Sequence, residues 1–156
     1  MERFPITQAG YKKLSEEIKN LKSVERPTVI QAIAEARELG DLSENAEYHA
    51  AREKQSFIEG RIIDLEDKIS RSEVIDTSKF QGPNIKFGAQ VELIDEETEE
   101  SFQYTITGDY EADITKGLLS LSSPISRALI GKNEGDSVDV VTPKGTRTYE
   151  VIKVIY

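Results

Sequence analysis

The sequence predicts an α+β protein, in which an N-terminal antiparallel helical hairpin (coiled coil) precedes a small, mostly antiparallel β domain with one short helix. In the first half, apolar residues recur at alternating spacings of three and four, as in a coiled coil. The second half instead contains short runs of strand-like residues. Between the halves, Gly82 and Pro83 are turn signals. We therefore expect a hairpin over residues 1–76, a linker over 77–85 and the β domain over 86–156.

The first predicted helix begins after Thr7, whose hydroxyl can cap it. Its coiled-coil positions are Tyr11, Leu14, Ile18 and Leu21. The apolar stripe then resumes out of phase at Val29, Ile30 and Ile33. Pro27 lies at this change of phase. Because proline lacks a backbone donor and clashes with the preceding turn, we expect a break or kink near Val24–Pro27.

The second predicted helix runs antiparallel to the first, from about Leu42 to about Ser72. It follows from one regular heptad pattern, at Ala51, Ile58, Ile62, Leu65 and Ile69. The first helix continues to about Leu39 and ends at Gly40, so the tip of the hairpin lies near residues 39–45.

The β domain is predicted from five short apolar runs, at 87–94, 102–107, 118–121, 137–141 and 146–155. The last two form a hairpin that turns at 143–145, where proline and glycine favour a turn. Ser123 followed by Pro124 predicts the start of a short helix, and Gly131 is suited to close it.

Composition excludes several classes of function. The chain has no cysteine and His49 is its only histidine, which argues against disulfides and zinc. The net charge is −9, and neither half is basic, which argues against a free-standing nucleic-acid binder. No apolar run approaches the roughly 18 residues needed to span a membrane, and the N-terminus lacks the apolar stretch of a signal peptide. We expect a cytoplasmic protein that does not enter membranes.

The tip carries two acids, Asp41 and Glu44, for which two interpretations remain open. Their D-x-x-E spacing matches a capping box, in which Asp41 caps the backbone of Glu44 and the Glu44 side chain reaches back. Alternatively, two carboxylates at the end of a rod can supply oxygen ligands to Mg²⁺. Two ligands are too few to hold the ion tightly, so a partner's site would supply the others.

Two arginines, Arg37 and Arg52, are predicted to lie behind these acids at comparable heights on opposite helices. Each could be a solvated arginine or pair with Glu38, Glu47 or Glu53, which is worth at most about 1 kcal/mol. Alternatively, paired guanidinium groups could hold a phosphate backbone while the acids address a metal.

The run AIAEARELGDLSENAEYHAAREKQ closely resembles the tip of the Gre factors, the bacterial transcript-cleavage (transcription elongation) factors that act on RNA polymerase, and specifically the GreA type. The resemblance covers essentially the whole chain. It extends to LKSVERP before the tip, and to FGAQV, SPISRALIG and GDSVDVVTPKGTRTYEVIKV in the second half.

This resemblance implies a β domain similar to the FK506-binding prolyl isomerases, which docks on the rim of the polymerase secondary channel through the region of Ser123 and Pro124. The hairpin then enters the channel. Asp41 and Glu44 act as the catalytic acids, holding Mg²⁺ jointly with the polymerase so that backtracked RNA is cut and arrested complexes are rescued. Arg37 and Arg52 fall among basic residues near the 3′ end of the RNA. The factor completes the polymerase's active site without being an enzyme itself, and we expect a monomer.

Two other functions are compatible with the sequence. The β domain could be a prolyl isomerase whose hairpin is a chaperone arm, although such isomerases often line their pocket with tryptophan and this chain has none. The protein could also occupy the polymerase channel without promoting cleavage. Relatives of that kind have altered tip acids, whereas Asp41 and Glu44 are intact here.

Overall fold

A computed structural model describes residues 2–156, which form two compact units. The hairpin unit is Tyr11–Arg71, and the sheet unit combines the described residues up to Gly10 with Ser72–Tyr156. This division differs from the predicted one because strand β1 (Phe4–Thr7) pairs in parallel with strand β2 (Ser72–Ile75). The segments that precede and follow the hairpin therefore belong to the sheet unit.

The hairpin consists of helix α1 (Gln8–Asn20), a π-helical segment (Leu21–Glu25), helix α2 (Arg26–Arg37) and helix α3 (Ala46–Arg71). The predicted disturbance near Val24–Pro27 is the π-helical segment. The Arg26 N–H donates to the carbonyl of Leu21, five residues back, next to a proline that has no N–H to donate. The chain thus remains helical from Gln8 to Arg37 instead of breaking.

Apolar packing holds the two arms of the hairpin together as predicted. The buried cluster consists of Leu21, Val29, Ile58, Ile62 and Leu65, with Leu14 and Ile18 packed against it. Ion pairs cross between the arms, including Lys22 to Glu66 at 2.7 Å and Arg61 to Glu17 at 2.8 Å. Because these pairs remain partly open to solvent, the buried cluster contributes most of the stabilisation.

The sheet unit contains a five-stranded sheet in the order β5-β4-β3-β7-β6. Its strands are β3 (Gln90–Asp95), β4 (Ser101–Thr107), β5 (Leu118–Ser120), β6 (Ser137–Thr142) and β7 (Gly145–Ile155). Within this five-stranded sheet, β4 and β5 pair in parallel and the other neighbouring strands are antiparallel. Helix α4 (Pro124–Leu129) contributes Leu129 to the buried core, and a short 3₁₀ helix (Ile114–Lys116) precedes β5. The predicted α+β class is confirmed.

Residues 77–85, predicted as a linker, pack onto the sheet unit instead. Ile85 is fully buried, and its N–H donates to the carbonyl of Lys132 at 2.8 Å. The hydroxyl of Tyr156 donates to the carbonyl of Asn84 at 2.5 Å. Turn residues thus mark an irregular segment here, but long-range contacts hold it to the sheet. Within residues 2–156, no helix combines the length and apolar character needed to cross a membrane.

Candidate functional site

The tip of the hairpin is the segment 38–45, between the last residue of α2 and the first of α3. Helical turns continue briefly beyond α2, since Leu39 N–H donates to Ala36 at 3.1 Å and Gly40 N–H to Arg37 at 3.5 Å. Gly40 then adopts a φ of 121°, a conformation that favours glycine and ends the helical path. Residues 41–44 are all exposed.

Asn45, and not the predicted capping box of Asp41 and Glu44, caps helix α3. The Asn45 Oδ1 accepts a hydrogen bond from the Tyr48 N–H at 3.0 Å, and α3 begins at Ala46 instead of near Leu42. The capping box does not form because Asn45, the residue after Glu44, caps the helix instead. Asparagine caps helices as well as aspartate does, so the sequence contained the signal for this register.

The second polar group of Asn45 reaches across the tip. Its Nδ2 donates to the carbonyl of Ala36 at 2.6 Å, near the end of helix α2. Ala36 is buried, with 3% of its surface exposed. One side chain therefore bonds to the end of α2 and the start of α3, a role that the sequence analysis missed.

Asp41 uses only one of its two carboxylate oxygens for hydrogen bonds within the tip. Its Oδ1 accepts hydrogen bonds from the hydroxyl of Ser43 at 2.8 Å and from the Ser43 N–H at 2.9 Å. These two bonds hold the pKa of the Asp41 carboxyl below its usual range, because they favour the charged form. Among residues 2–156, neither Asp41 Oδ2 nor the Glu44 carboxylate has a hydrogen bond or ion pair.

Further contacts shape the surroundings of these acids. His49 Nε2 lies 3.3 Å from the carbonyl of Ser43. The side chains of Leu39 and Leu42 are exposed by 66% and 38%, so packing within the hairpin does not bury them. The tip thus presents carboxylate oxygens and apolar side chains to its surroundings.

Neither tip arginine pairs with the acids considered in the sequence analysis. The guanidinium of Arg37 lies over the ring of Tyr48, 5.9 Å from its centroid, and Arg52 donates to the Gln55 side chain at 3.1 Å. In the described chain, no ion pair involves either arginine. Both guanidinium groups retain donors for a further anion, and their predicted role near RNA stays a prediction.

Ser123 caps helix α4 as predicted, since its Oγ accepts a hydrogen bond from the Ser126 N–H at 3.2 Å. Pro124 follows as the first helical residue and is exposed. The adjoining loop is braced by Asp109, which accepts hydrogen bonds from the hydroxyls of Ser120 and Ser122. Whether this surface binds a partner stays a prediction.

The tip acids fit part of a magnesium site. Carboxylate oxygens are the ligands that Mg²⁺ prefers, and Asp41 and Glu44 both keep such oxygens free of protein partners. Within residues 2–156, no group of three or more histidine, cysteine, aspartate or glutamate side chains is placed to hold a metal ion.

Comparison with known proteins identifies the class. The chain matches two family profiles. One, described as transcription elongation factor, N-terminal, covers residues 4–74. The other, described as transcription elongation factor, GreA/GreB, C-term, covers residues 81–156. The chain belongs to the GreA/GreB family of transcription elongation factors.

Individual relatives agree with this assignment. The chain is 62% identical over 156 residues to transcription elongation factor GreA of Paracoccus denitrificans, covering 100% of this chain and 99% of that one. It is 59% identical to the GreA factor of a Caulobacter species, strain K31, covering 99% and 98%.

Two solved structures also resemble the chain over nearly its full length. GreA factor homolog 1 of Thermus thermophilus is 27% identical, with a TM-score of 0.44 and full coverage of both chains. A GreA/GreB elongation factor from Nitrosomonas europaea is 19% identical, with a TM-score of 0.44, covering 99% of this chain and 100% of that one.

Proposed function

We propose that this protein binds bacterial RNA polymerase, inserts its hairpin into the secondary channel and stimulates the polymerase's own Mg²⁺-dependent cleavage of backtracked RNA, thereby rescuing arrested complexes. The observation that carries this proposal is the state of the tip acids. Hydrogen bonds from Ser43 lower the pKa of the Asp41 carboxyl, Glu44 lies in the same exposed turn, and both keep carboxylate oxygens without protein partners in the described chain. Membership of the elongation factor family supports the choice of polymerase as partner.

The tip acids would act by completing a metal site that belongs mainly to the polymerase. Mg²⁺ held there would supply Lewis-acid stabilisation for the charge on the phosphodiester and would activate the attacking water. Asp41 Oδ2 and the Glu44 carboxylate are the oxygens available to hold it, while the hydrogen bonds from Ser43 favour the charged form of Asp41. The protein is accordingly a factor that stimulates cleavage and not a nuclease by itself.

Arg37 and Arg52 would contact the phosphates near the 3′ end of the RNA. Both lie on the helices that flank the tip and neither is neutralised by an ion pair in the described structure. Guanidinium groups with free donors suit phosphate binding. The surface around Ser123 and Pro124 would dock on the rim of the channel.

The test is RNA cleavage in stalled, backtracked polymerase complexes, comparing this protein with the Asp41→Asn, Glu44→Gln double variant. Because Asn45 caps α3, and because Asn and Gln keep the size of the replaced side chains, the double variant is expected to keep its helicity. We expect it to compete for polymerase as the unchanged protein does, but to lose stimulation of cleavage. Retained stimulation would disprove the assigned role of the acids.

The same cleavage assay, together with two assays of the protein alone, separates the alternatives. A steric occupant of the channel would bind polymerase and leave cleavage unstimulated even with both acids intact. A prolyl isomerase would catalyse isomerisation of a proline-containing peptide in the absence of polymerase. The purified protein alone is expected to leave naked RNA intact in the presence of Mg²⁺, since two carboxylates do not complete a metal site.

A further inference from the structure

We propose that Asn45 is a positioning residue that joins the ends of helices α2 and α3 and thereby fixes the acidic turn between them. This inference rests on the proposed function of Asp41 and Glu44. It adds a residue that makes no contact with metal or RNA and acts through the geometry of the tip.

Apolar packing near the tip is one-sided. On α2, buried residues continue to Ala36, one residue before the helix ends. On α3, no side chain from Ala46 to Phe57 is buried, and the first buried one is Ile58. The start of α3 therefore has little apolar packing of its own, and a helix end of this kind frays readily unless hydrogen bonds hold it.

Asn45 connects the start of α3 to α2 with both of its polar groups. Its Nδ2 bonds to the Ala36 carbonyl at 2.6 Å, and its Oδ1 bonds to the Tyr48 N–H at 3.0 Å. Ala36 is buried and provides a fixed point on α2. The 2.6 Å bond spans nine residues and closes the turn that contains Asp41 and Glu44.

Capping by Asn45 leaves the two tip acids available for other contacts. Asn45 Oδ1 accepts the Tyr48 N–H at the start of α3, so the Glu44 carboxylate is not used as a cap. Among the described residues, Asp41 forms hydrogen bonds only with Ser43. Catalytic groups require placement within about 0.5 Å, and such placement depends on supporting hydrogen bonds. Asn45 therefore orients the acids and leaves them free.

Two substitutions separate capping from bridging. Serine and aspartate both cap helices about as well as asparagine, so Asn45→Ser and Asn45→Asp preserve the start of α3. Neither residue carries the amide N–H₂ that donates to the Ala36 carbonyl. Asn45→Ser adds no charge at the tip, whereas Asn45→Asp preserves the size of the side chain. Asn20→Ser is the matched control, because Asn20 is exposed and forms no side-chain cap.

We expect both Asn45 variants to keep their helicity and their half-saturating concentration in the cleavage assay. Their maximal rate of stimulated cleavage should fall about tenfold or more, since displacing a catalytic group by about 1 Å can cost on the order of 10²-fold. Amide hydrogen exchange at Ser43 should become faster in both variants. The Asn20→Ser control should match the unchanged protein in every measurement.

The proposal is overturned if both variants cleave within about twofold of the unchanged protein, a change too small to reflect a displaced catalytic group. It is also overturned if the half-saturating concentration rises while the maximal rate stays constant, or if helicity is lost in both. If the unchanged protein itself fails to stimulate cleavage, the proposed function falls. The exchange rate at Ser43 then still decides whether Asn45 holds the turn.

Discussion

The carboxylate of Glu111 accepts hydrogen bonds from the N–H of Thr7 at 2.9 Å and from the Thr7 hydroxyl at 2.5 Å, although the two residues are 104 positions apart. The same carboxylate accepts the Gly108 N–H at 2.8 Å. The fit is close, because a Cβ on Gly10 would lie 2.0 Å from the Glu111 carboxylate and one on Gly108 would lie 2.2 Å from the carbonyl of Pro5. This contact fixes strand β1 and the first turn of α1 within the sheet unit.

Replacing Glu111 with alanine is expected to lower the free energy of unfolding of the sheet unit by about 2–3 kcal/mol, since partly buried N–H donors would lose a charged acceptor. Urea unfolding followed by circular dichroism measures the change. Glu134→Ala, at an exposed carboxylate of the same unit, is the control. Equal unfolding midpoints for the two variants would show that the Glu111 contact is not stabilising.

Asp95 is expected to make the stability of the sheet unit depend on pH in the acid range. Its Oδ1 accepts the N–H groups of Thr98 at 3.1 Å and Glu97 at 2.9 Å, and these bonds, together with Arg147, hold the pKa of the Asp95 carboxyl below its usual range. A depressed folded-state pKa contributes stability above the unfolded value of about 3.9, and this contribution is lost as the pH falls through the folded value.

The variant Asp95→Asn therefore should be less stable than the unchanged protein at neutral pH, and the difference should shrink below about pH 3.9. Urea midpoints measured from neutral pH down to the acid transition test this expectation. Glu134→Gln controls for the loss of one exposed carboxylate. A difference that stays constant with pH would show that the charge of Asp95 is not the cause.

Arg52→Ala is expected to reduce stimulated cleavage about tenfold without changing helicity, because a charge-assisted bond to phosphate is worth about 1.5–3 kcal/mol. Lys54→Ala is the matched control, since it removes one exposed cation from the same helix and only a 3.9 Å ion pair with Glu25. Cleavage should be measured across a series of protein concentrations. Equal curves for the Arg52 variant and the unchanged protein would remove Arg52 from the RNA-binding role.

Substitution of Ser123 tests the docking surface. Ser123→Ala removes the cap of α4 and should lower the free energy of unfolding by about 1 kcal/mol, whereas Ser123→Asn keeps a cap. Both variants should compete less well for polymerase if the serine side chain itself lies in the interface. Weakened competition by Ser123→Ala alone would assign the effect to the cap, and undiminished competition by both would exclude Ser123 from the interface.

Much of the hairpin could be predicted because its signal is periodic. Leu21, Ile58, Ile62 and Leu65 are buried as the heptad spacing indicated. Of the out-of-phase stripe, Val29 and Ile33 are buried, whereas Ile30 is half exposed. The strand runs and the cap at Ser123 are likewise local features, confirmed with small shifts of boundary. The Asp41 and Glu44 pair could be singled out for the same reason, although its interpretation as a capping box was wrong.

By itself, the sequence determined the α+β class, the hairpin and the exposed acidic tip, because residue spacing dictates which faces of helices and strands become apolar. The tertiary structure alone decided that β1 pairs with β2, that Glu111 holds Thr7 and that Asn45 reaches Ala36. Such contacts join groups that have no fixed spacing along the chain. They form only when folding brings the two interacting groups together, and no repeating pattern in the sequence predicts them.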